Sequence, residues 1–394
     1  MRYVVIGGGI AGVSCANEIL RLDRSSHLEV VLISASRVVK SIENFRKVGQ
    51  CGEKFDVEEK QHSELFCDSR FQFMNEEVTN WDSEKKELVL KSEKRVKYDK
   101  LSIATGSRPK LQEEFGSDSR FVFLRDSQSA AQLKKHLDSK RNVLIVGNGG
   151  IATELLYELK DTNVTWLVRD AWICASFFPE DVESFIEKRL LAGRPDGKKH
   201  DGPLKHLQHS ASDNTRSVLC GPALGPDWCS NIEFGDGKIG RTVEILRNCI
   251  IEKCVTGDQL SIEYKNTTNG KTAELKPEIV IFACGVVPNS ETFTKESGLK
   301  TTESGQIRVN DVCETSICDV FSCGDVSFFS FPSPNNLWTQ RELWTQARQQ
   351  GEVCGKSMVA GAEEARMQSM YFELFSHSTT FFGMKCEIHV AGNC

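Results

Sequence analysis

The chain has 394 residues, of which 39% are hydrophobic and 26% charged, and its formal net charge is -6 at pH 7. This length allows two or three domains with cores of their own, and the acidic balance argues against direct binding of nucleic acid. No apolar run reaches the roughly 20 residues that a membrane-spanning helix needs, so we expect no membrane segment. The 15 scattered cysteines favour a reducing compartment, the cytoplasm or the nucleus.

The chain opens on a predicted strand, a glycine-rich turn and a helix. The apolar run Val4-Val5-Ile6 leads into glycines in the spacing GxGxxG, and apolar residues at helical spacing follow. In such a turn, backbone NH groups and the N-terminus of the helix meet the pyrophosphate of a dinucleotide. We therefore predict that the turn binds a first dinucleotide through Gly7, Gly9, Ile10, Ala11 and Gly12.

The second strand, Leu28 to Ile33, lacks the terminal acid that usually holds the adenosine ribose in this kind of unit. Ser34 takes that place, and its hydroxyl can still exchange one hydrogen bond with the ribose. Further along, the run Tyr98 to Pro109 predicts a buried strand that ends in small residues, which let the backbone pass close to a bound cofactor. These small residues are Ala104, Thr105 and Gly106.

A second turn of the same kind follows about 140 residues after the first. Its spacing, GxGxxA, predicts a second dinucleotide site through Gly147, Gly149, Gly150, Ile151 and Ala152. Another strand with small residues, Ile279 to Asn289, follows it and contains Gly285, so the chain repeats one plan twice. Two dinucleotide sites in one chain indicate the transfer of a hydride between the two ligands.

The residues after the strand Val164 to Leu167 bear on which nicotinamide nucleotide is bound. An acid at the end of this strand favours NADH, whereas an arginine favours the 2′-phosphate of NADPH. The strand-end position is Val168, and Arg169 and Asp170 come next with opposite charges. We count Arg169 among the predicted binding residues, and the choice between NADH and NADPH stays open.

The last landmark is Gly324-Asp325, where an acid after a strand can bond the ribityl hydroxyls of a flavin. With the two glycine turns and the ATG strand, in this order, the chain resembles the two-dinucleotide-binding-domain flavoproteins, also called pyridine nucleotide-disulfide oxidoreductases, over residues 1 to 360. The resemblance implies that the first glycine turn, the ATG strand and Gly324-Asp325 bind FAD and that the second turn binds NADH or NADPH. Four further segments are similar to one particular subgroup of the family; they lie at 55–59, 147–152, 223–228 and 343–349.

The resemblance also implies an α/β fold with two Rossmann-like domains, the second inserted in the first. The FAD domain would comprise 1–125 and 277–360, and the NAD(P)H domain 126–276, with a polar insertion near 193–240. Residues 361–394 would be the remnant of a truncated α+β C-terminal interface domain.

The dithiol of the disulfide reductases in this family is missing from its expected place. They carry CxxxxC, or one cysteine, on the helix after the second strand, but the matching stretch Lys40 to Phe45 has no cysteine, and Cys51 follows alone. CxxxxC spacing recurs at Cys249 with Cys254 and at Cys313 with Cys318. Both pairs lie in or beside predicted strands, where this separation turns the two side chains to opposite faces. We therefore predict chemistry without a redox-active dithiol, and no metal site.

Three further residues receive roles from the resemblance. In related flavoproteins a lysine after the second strand pairs with a glutamate of the second glycine turn beside the reactive nitrogen of the flavin, and Lys40 and Glu154 occupy these places. They are our candidate catalytic residues. Trp344 opens a helix whose N-terminus would face the pyrimidine edge of the flavin, where negative charge develops on reduction; a purely structural place for Trp344 in the core is the alternative.

These observations leave three hypotheses about function. The first is an FAD-dependent NAD(P)H oxidoreductase that passes electrons to oxygen, a quinone or a protein acceptor. The resemblance implies for it a part in the oxidative stress response and a tRNA ligase complex as partner. The second is a redox-responsive binding module that holds a nicotinamide charge-transfer state and protects a partner protein. The third is a disulfide reductase that uses Cys51, whose replacement by serine would abolish its activity.

Overall fold

We describe the protein from a computed structural model. The structure describes residues 1–48, 52–110, 115, 117–124, 127–137, 141–175, 178–193, 240–295, 298–330, 340, 342–366, 375–381 and 384–390. Cys51 and almost all of the predicted polar insertion lie outside these residues.

The described strands, in chain order, are β1 (Arg2–Ile6), β2 (Glu29–Ser34), β3 (Val38–Val48), β4 (Gly52–Gln61), β5 (Phe71–Asn75), β6 (Val78–Asp82), β7 (Glu87–Leu90), β8 (Arg95–Lys97), β9 (Lys100–Ile103), β10 (Ser107–Pro109), β11 (Phe121–Phe123), β12 (Asn142–Val146), β13 (Asn163–Leu167), β14 (Thr242–Leu246), β15 (Cys249–Val255), β16 (Ser261–Asn266), β17 (Thr272–Leu275), β18 (Ile279–Phe282), β19 (Val286–Pro288), β20 (Ile307–Val309), β21 (Val320–Ser322), β22 (Ser327–Phe329), β23 (Phe375–Phe381) and β24 (Met384–Val390). The described α-helices are α1 (Ile10–Leu22), α2 (His62–Leu65), α3 (Ser127–Leu137), α4 (Gly150–Glu158), α5 (Glu183–Ala192), α6 (Glu291–Thr294), α7 (Trp344–Ala360) and α8 (Ala362–Arg366), and a 3₁₀ turn spans Glu180–Val182.

The chain forms two compact units. Unit 1 comprises Met1–Arg108, Val287–Ser378 and Glu387–Cys394, and unit 2 comprises Pro109–Val286 and Thr379–Cys386. The main boundaries of the units therefore fall near residues 108 and 286, whereas the sequence analysis placed the domain boundaries at 125 and 277.

Unit 1 is built on a five-stranded sheet in the order β21-β9-β1-β2-β5, and every pairing in it is parallel. The strand order reverses at β1, the strand that leads into the first glycine turn. In open parallel sheets, ligands bind outside the carboxyl ends of the strands at such a switch point. The central strands are continuous apolar runs because a parallel sheet is covered on both faces, and Val4, Val31 and Leu101 are fully buried.

Unit 2 repeats the arrangement in its sheet, β11-β18-β12-β13-β14, which is also entirely parallel. Its switch strand is β12, which leads into the second glycine turn. Each unit also carries a three-stranded antiparallel sheet, β6-β7-β8 in unit 1 and β15-β16-β17 in unit 2. The predicted α/β class with two Rossmann-type units is confirmed.

The stretch from Lys40 to Phe45, expected on a helix, lies instead in β3 and pairs antiparallel with β4. Val39 and Ile42 contact buried residues of unit 1. The segment is a strand because its backbone pairs with β4, from Val38 with Gln61 to Val48 with Gly52.

The prediction that Cys249 and Cys254 face opposite ways is also wrong. The register of β15 against β16 shifts between Ile251 and Lys253, which inserts one extra residue into the strand. Both cysteines consequently face the same apolar cluster of unit 2. Of the other pair, Cys313 is buried and Cys318 is exposed.

Candidate functional site

The first glycine turn has the backbone geometry that a pyrophosphate site requires. Gly7 has φ 119°, and a Cβ there would overlap the carbonyl oxygen of Ala104, the residue directly after β9. A Cβ at Gly12 would overlap the carbonyl oxygen of Gly7. Glycine at both positions lets β1, β9 and α1 come together at the turn.

Gly9, in contrast, faces open space. It is the N-cap of α1, and a Cβ built on it has no atom within 4 Å. The first turn of α1 has neither a side-chain cap at Gly9 nor an acidic residue. Its NH groups and positive dipole end are available to an anion. The predicted residues Ile10 and Ala11 begin this helix, and both are buried.

Ser34 and Lys40 both lie next to Gly8 of this turn. Ser34 is buried at the end of β2; its hydroxyl accepts a hydrogen bond from the NH of Ser36 at 3.2 Å, and its own O–H remains able to donate. A Cβ on Gly8 would come within 2.7 Å of this hydroxyl oxygen. The NH of Lys40 donates to the carbonyl of Gly8 at 2.9 Å, so β3 is hydrogen-bonded to the glycine turn.

Thr105 and Gly106 are hydrogen-bonded to the segment after β19. The Thr105 hydroxyl donates to the carbonyl of Asn289 at 2.6 Å, and the Asn289 amide donates to the carbonyl of Thr105 at 3.0 Å. Gly106 has φ 66° and accepts from the NH of Asn289. Ala104 is buried, and its NH donates to Ile6 of β1 at 2.8 Å. These bonds hold the small-residue segment beside the glycine turn.

Gly324 and Asp325 follow β21 in the same unit. Gly324 has φ 79°, and a Cβ there would come within 2.9 Å of the Ala11 side chain. Its NH donates to Oε1 of the buried Gln350 at 2.8 Å. Asp325 accepts a hydrogen bond from the hydroxyl of Ser107 at 3.0 Å. Unit 1 thus brings the predicted Gly324 next to the first helix after the glycine turn.

Trp344 is the first residue of α7, as predicted. Its side chain packs in a small apolar cluster with Ile10, Ile42 and Val57. Ile10 is the first residue of α1, so the N-terminal ends of α1 and α7 lie close together. α7 crosses α1 at backbone contact, since a Cβ on Gly351 would overlap the carbonyl oxygen of Ala11. The position of Trp344 supports both the functional and the structural alternative.

The second glycine turn repeats the geometry of the first. Gly147 has φ 127°, and a Cβ there would overlap the carbonyl oxygen of Ala283. Gly149 is the N-cap of α4 and again faces open space. Gly150, Ile151 and Ala152 form the first turn of α4, which contains no acid and no side-chain cap at Gly149. The pairs Gly7 with Gly9 and Gly147 with Gly149 therefore have equivalent surroundings in the two units.

A cavity of about 430 Å³ opens in front of this second turn, within unit 2. Its lining includes the predicted Gly147, Gly149, Arg169 and Gly285. It also includes residues that the sequence analysis did not select, among them Asn148, Asp170, Cys249, Ile250 and Phe282. The mixture of an apolar wall with a few polar groups is typical of a small-molecule site.

Asn148 organises the polar end of the cavity. Its side-chain amide donates to Asp170 at 2.8 Å and to the carbonyl of Trp172 at 2.9 Å, and its oxygen accepts from the NH of Cys174 at 2.7 Å. The side chain of Arg169 is largely exposed, with its Nε 3.8 Å from Asp170. The sequence carried one signal for the hydrogen bonds of Asn148. Asn148 is the variable residue between Gly147 and Gly149, and Asp170 follows the neighbouring strand.

Glu154 lies in α4 and is buried, with an exposed fraction of 4%. Lys40 belongs to unit 1 and Glu154 to unit 2, and their pairing beside a flavin stays a prediction.

None of the ten cysteines whose side chains the structure describes forms a disulfide. Burial raises the pKa of Cys174 to about 12, with a smaller contribution from Glu183. Burial is also the main cause that raises the pKa of Cys15 and of Cys313. These thiols are therefore poor nucleophiles. Among the described residues, no group of three or more His, Cys, Asp or Glu side chains could hold a metal ion.

Within the same residues, none of the helices has both the length and the apolar character needed to cross a membrane.

Comparison with known proteins gives the family. The family model described as pyridine nucleotide-disulphide oxidoreductase matches residues 1–193 and 239–351. A *Drosophila melanogaster* protein called pyridine nucleotide-disulfide oxidoreductase domain-containing protein 1 is 34% identical over 97% of this chain and 81% of its own length. The *Homo sapiens* protein of the same name is 30% identical over 98% and 81%. These relatives confirm the predicted subgroup.

A solved structure supports the fold independently of close sequence similarity. The ferredoxin reductase for the CYP199A2 system of *Rhodopseudomonas palustris* superimposes with a TM-score of 0.69 at 16% identity, covering 99% of this chain and 82% of its own. The likeness concerns the fold, whereas the family model and the relatives lead to one assignment: the chain belongs to the pyridine nucleotide-disulphide oxidoreductase family.

Proposed function

We propose that the protein is an FAD-dependent NAD(P)H oxidoreductase that works without a redox-active dithiol. The observation that carries the proposal is the duplicated turn geometry: Gly7 and Gly147 allow close backbone approach, while Gly9 and Gly149 leave an open N-terminal helix end for a pyrophosphate. Family membership supports an oxidoreductase that depends on FAD and NAD(P)H.

The residues of unit 1 fit FAD. The open end of α1 suits the pyrophosphate, the Ser34 hydroxyl suits the adenosine ribose, and Asp325 follows β21 where an acid can accept hydrogen bonds from ribityl hydroxyls. The N-terminus of α7 has no acid in its first turn, so its dipole can favour an anionic ligand. The chemistry that FAD supplies when bound is acceptance of a hydride from the nicotinamide and transfer of electrons to an acceptor.

The protein's own part in this function is binding, orientation and electrostatics. Lys40 would place a positive charge near the flavin, and Glu154 would orient that charge. Unit 2 would hold the nicotinamide nucleotide through the NH groups at the start of α4 and through the cavity in front of Gly149. No cysteine is required for these tasks. Among the ten cysteines whose side chains the structure describes, Cys67 and Cys318 are exposed.

The finer parts of the proposal come from the family resemblance of the sequence and from its cysteines. We place the protein in the oxidative stress response, in the cytoplasm and the nucleus, with a tRNA ligase complex as a partner. Support for a reducing compartment comes from the 15 scattered cysteines, of which the ten with described side chains form no disulfide. The acceptor would be oxygen, a quinone or a protein.

The binding module that holds a charge-transfer state remains the second candidate. Turnover separates the two, because a slow module consumes about one nicotinamide per flavin while an enzyme consumes many.

The first experiment is the visible spectrum of the purified protein reconstituted with FAD, recorded without oxygen before and after addition of NADH or NADPH. Bleaching of the flavin bands supports the proposed function, and sustained NAD(P)H consumption after air and a quinone are admitted distinguishes the enzyme from the binding module. Free thiols are titrated before and after reduction. An unchanged thiol number supports chemistry without a dithiol, and two new thiols per flavin would contradict it. A protein that retains no FAD would refute the proposal.

A further inference from the structure

We propose that Asp170 makes NADH the preferred nucleotide of unit 2 over NADPH. This inference rests on the proposed function and names the nucleotide that the same site takes. It starts from the position of β13, which pairs in parallel with β12 and so ends beside the second glycine turn. In a unit of this kind, the end of the neighbouring strand faces the adenosine ribose.

The residue at the strand-end position, Val168, cannot form a side-chain hydrogen bond with the ribose. Val168 follows β13 directly; its side chain is apolar and fully buried. Asp170, two positions after Val168, lines the cavity in front of the turn, and it is 33% exposed at its side chain. The role that an acid has at the strand end in other units therefore passes to a residue two positions later.

Hydrogen bonds fix Asp170 at this place. Asn148, inside the glycine turn and with an exposed fraction of 8%, donates to Oδ2 of Asp170 at 2.8 Å. The Asn148 amide is itself oriented by the carbonyl of Trp172 and by the NH of Cys174. The carbonyl of Asp170 accepts from the NH of Asn248 at 3.2 Å, so the backbone is held as well. Asn148 is the positioning residue for the carboxylate.

The held carboxylate discriminates by charge. Oδ2 of Asp170 accepts from Asn148, and the carboxylate can still accept hydrogen bonds from ribose hydroxyls. NADH offers the 2′-hydroxyl of the adenosine ribose, whereas NADPH carries a phosphate at that position. A 2′-phosphate near Asp170 would be repelled, and the effect is substantial at the partly buried edge of a cavity. Arg169 lines the same cavity with its Nε 3.8 Å from Asp170, but it offsets this repulsion only in part, because its side chain is 81% exposed against 33% for Asp170 and its charge is therefore screened more strongly.

The test compares two probes that need no flavin chemistry, ADP-ribose and 2′-phospho-ADP-ribose, by calorimetric titration of the FAD-loaded protein. We expect ADP-ribose to bind more tightly by about tenfold or more. Asp170→Asn keeps a side-chain oxygen that can accept from Asn148 but removes the negative charge. It should reduce the ratio of the affinity for ADP-ribose to the affinity for 2′-phospho-ADP-ribose several-fold, mainly by tightening the binding of 2′-phospho-ADP-ribose. Asp258→Asn removes the same charge from an exposed position outside the cavity and should leave the ratio unchanged.

The outcomes separate this inference from the proposed function. Equal binding of the two probes, tighter binding of the 2′-phosphate form, or an Asp170→Asn ratio equal to that of the original chain overturns the inference alone. If neither probe binds, unit 2 has no nicotinamide nucleotide site, and the proposed function fails together with the inference.

Discussion

The two open glycines provide a matched pair of substitutions that tests both nucleotide sites. Gly9 has φ -76° and ψ 178°, and Gly149 has φ -88° and ψ -178°, which are extended conformations that alanine adopts without strain. A Cβ at either position meets no protein atom within 4 Å. Gly9→Ala and Gly149→Ala should therefore fold, with a change in the free energy of unfolding of about 1 kcal/mol or less.

The same methyl group would stand where a pyrophosphate approaches the backbone. Displacement of a phosphate from one NH group removes a charge-assisted hydrogen bond worth about 1.5 to 3 kcal/mol, which corresponds to about 10- to 150-fold weaker binding. Gly9→Ala should lose FAD affinity by this factor. Gly149→Ala should keep its FAD and lose affinity for ADP-ribose.

The assay measures FAD by the absorbance of the desalted protein and by titration of the apoprotein, and ADP-ribose by calorimetry. Gly7→Ala is the contrasting variant, because its Cβ would overlap a backbone oxygen at a positive φ; it should destabilise the fold of unit 1 as well as weaken FAD binding. If Gly149→Ala binds ADP-ribose as tightly as the original chain, or if Gly9→Ala loses none of its FAD affinity, the assignment of the two turns is wrong.

Three further predictions concern catalysis and stability. Glu154→Gln and Lys40→Met should each slow flavin reduction by NADH about 10- to 100-fold with FAD retained, because they remove a charge proposed to act beside the flavin; stopped-flow rates equal to those of the original chain would exclude these roles. Arg241→Met should destabilise unit 2 by about 1.5 to 3 kcal/mol, since this partly buried guanidinium donates to four carbonyls at the C-terminal ends of α4 and α5, and an unaltered thermal unfolding curve would contradict it. Hydrogen bonds from Arg70 lower the pKa of Asp68 to about 2, so the stabilisation by this carboxylate is present above its ordinary pKa of 3.8 and is lost as the pH falls through about 2. Asp68→Asn should make the free energy of unfolding in urea less dependent on pH between about 2 and 4. An equal pH dependence for the variant and the original chain would contradict a stabilising role of the Asp68–Arg70 pair.

The glycines were the most reliable part of the sequence analysis. Gly7, Gly147 and Gly324 were selected from their spacing and context, and all have a positive φ and no room for a side chain. Such requirements are local, because a turn between a strand and a helix needs the same backbone angles wherever it occurs. The parallel strands were predictable for a similar reason, since burial on both faces makes them continuous apolar runs.

The errors arose where a neighbouring strand determines the structure. The segment around Lys40 is a strand because β4 pairs with it, and a helix was expected from family analogy. Cys249 and Cys254 face the same way because a bulge against β16 shifts the register, and no count of residues along one strand reveals a bulge. In both cases the partner lies outside the segment that was interpreted.

The sequence by itself determined the fold class, the two nucleotide-binding turns and the absence of a dithiol from its expected place near Lys40. The tertiary structure alone decided that Asn148 holds the carboxylate of Asp170 by a hydrogen bond and that both residues line a cavity in front of the second glycine turn. The physical reason is that a turn's backbone angles depend on its own residues, whereas the use of a side chain depends on which distant groups the fold brings within hydrogen-bonding distance.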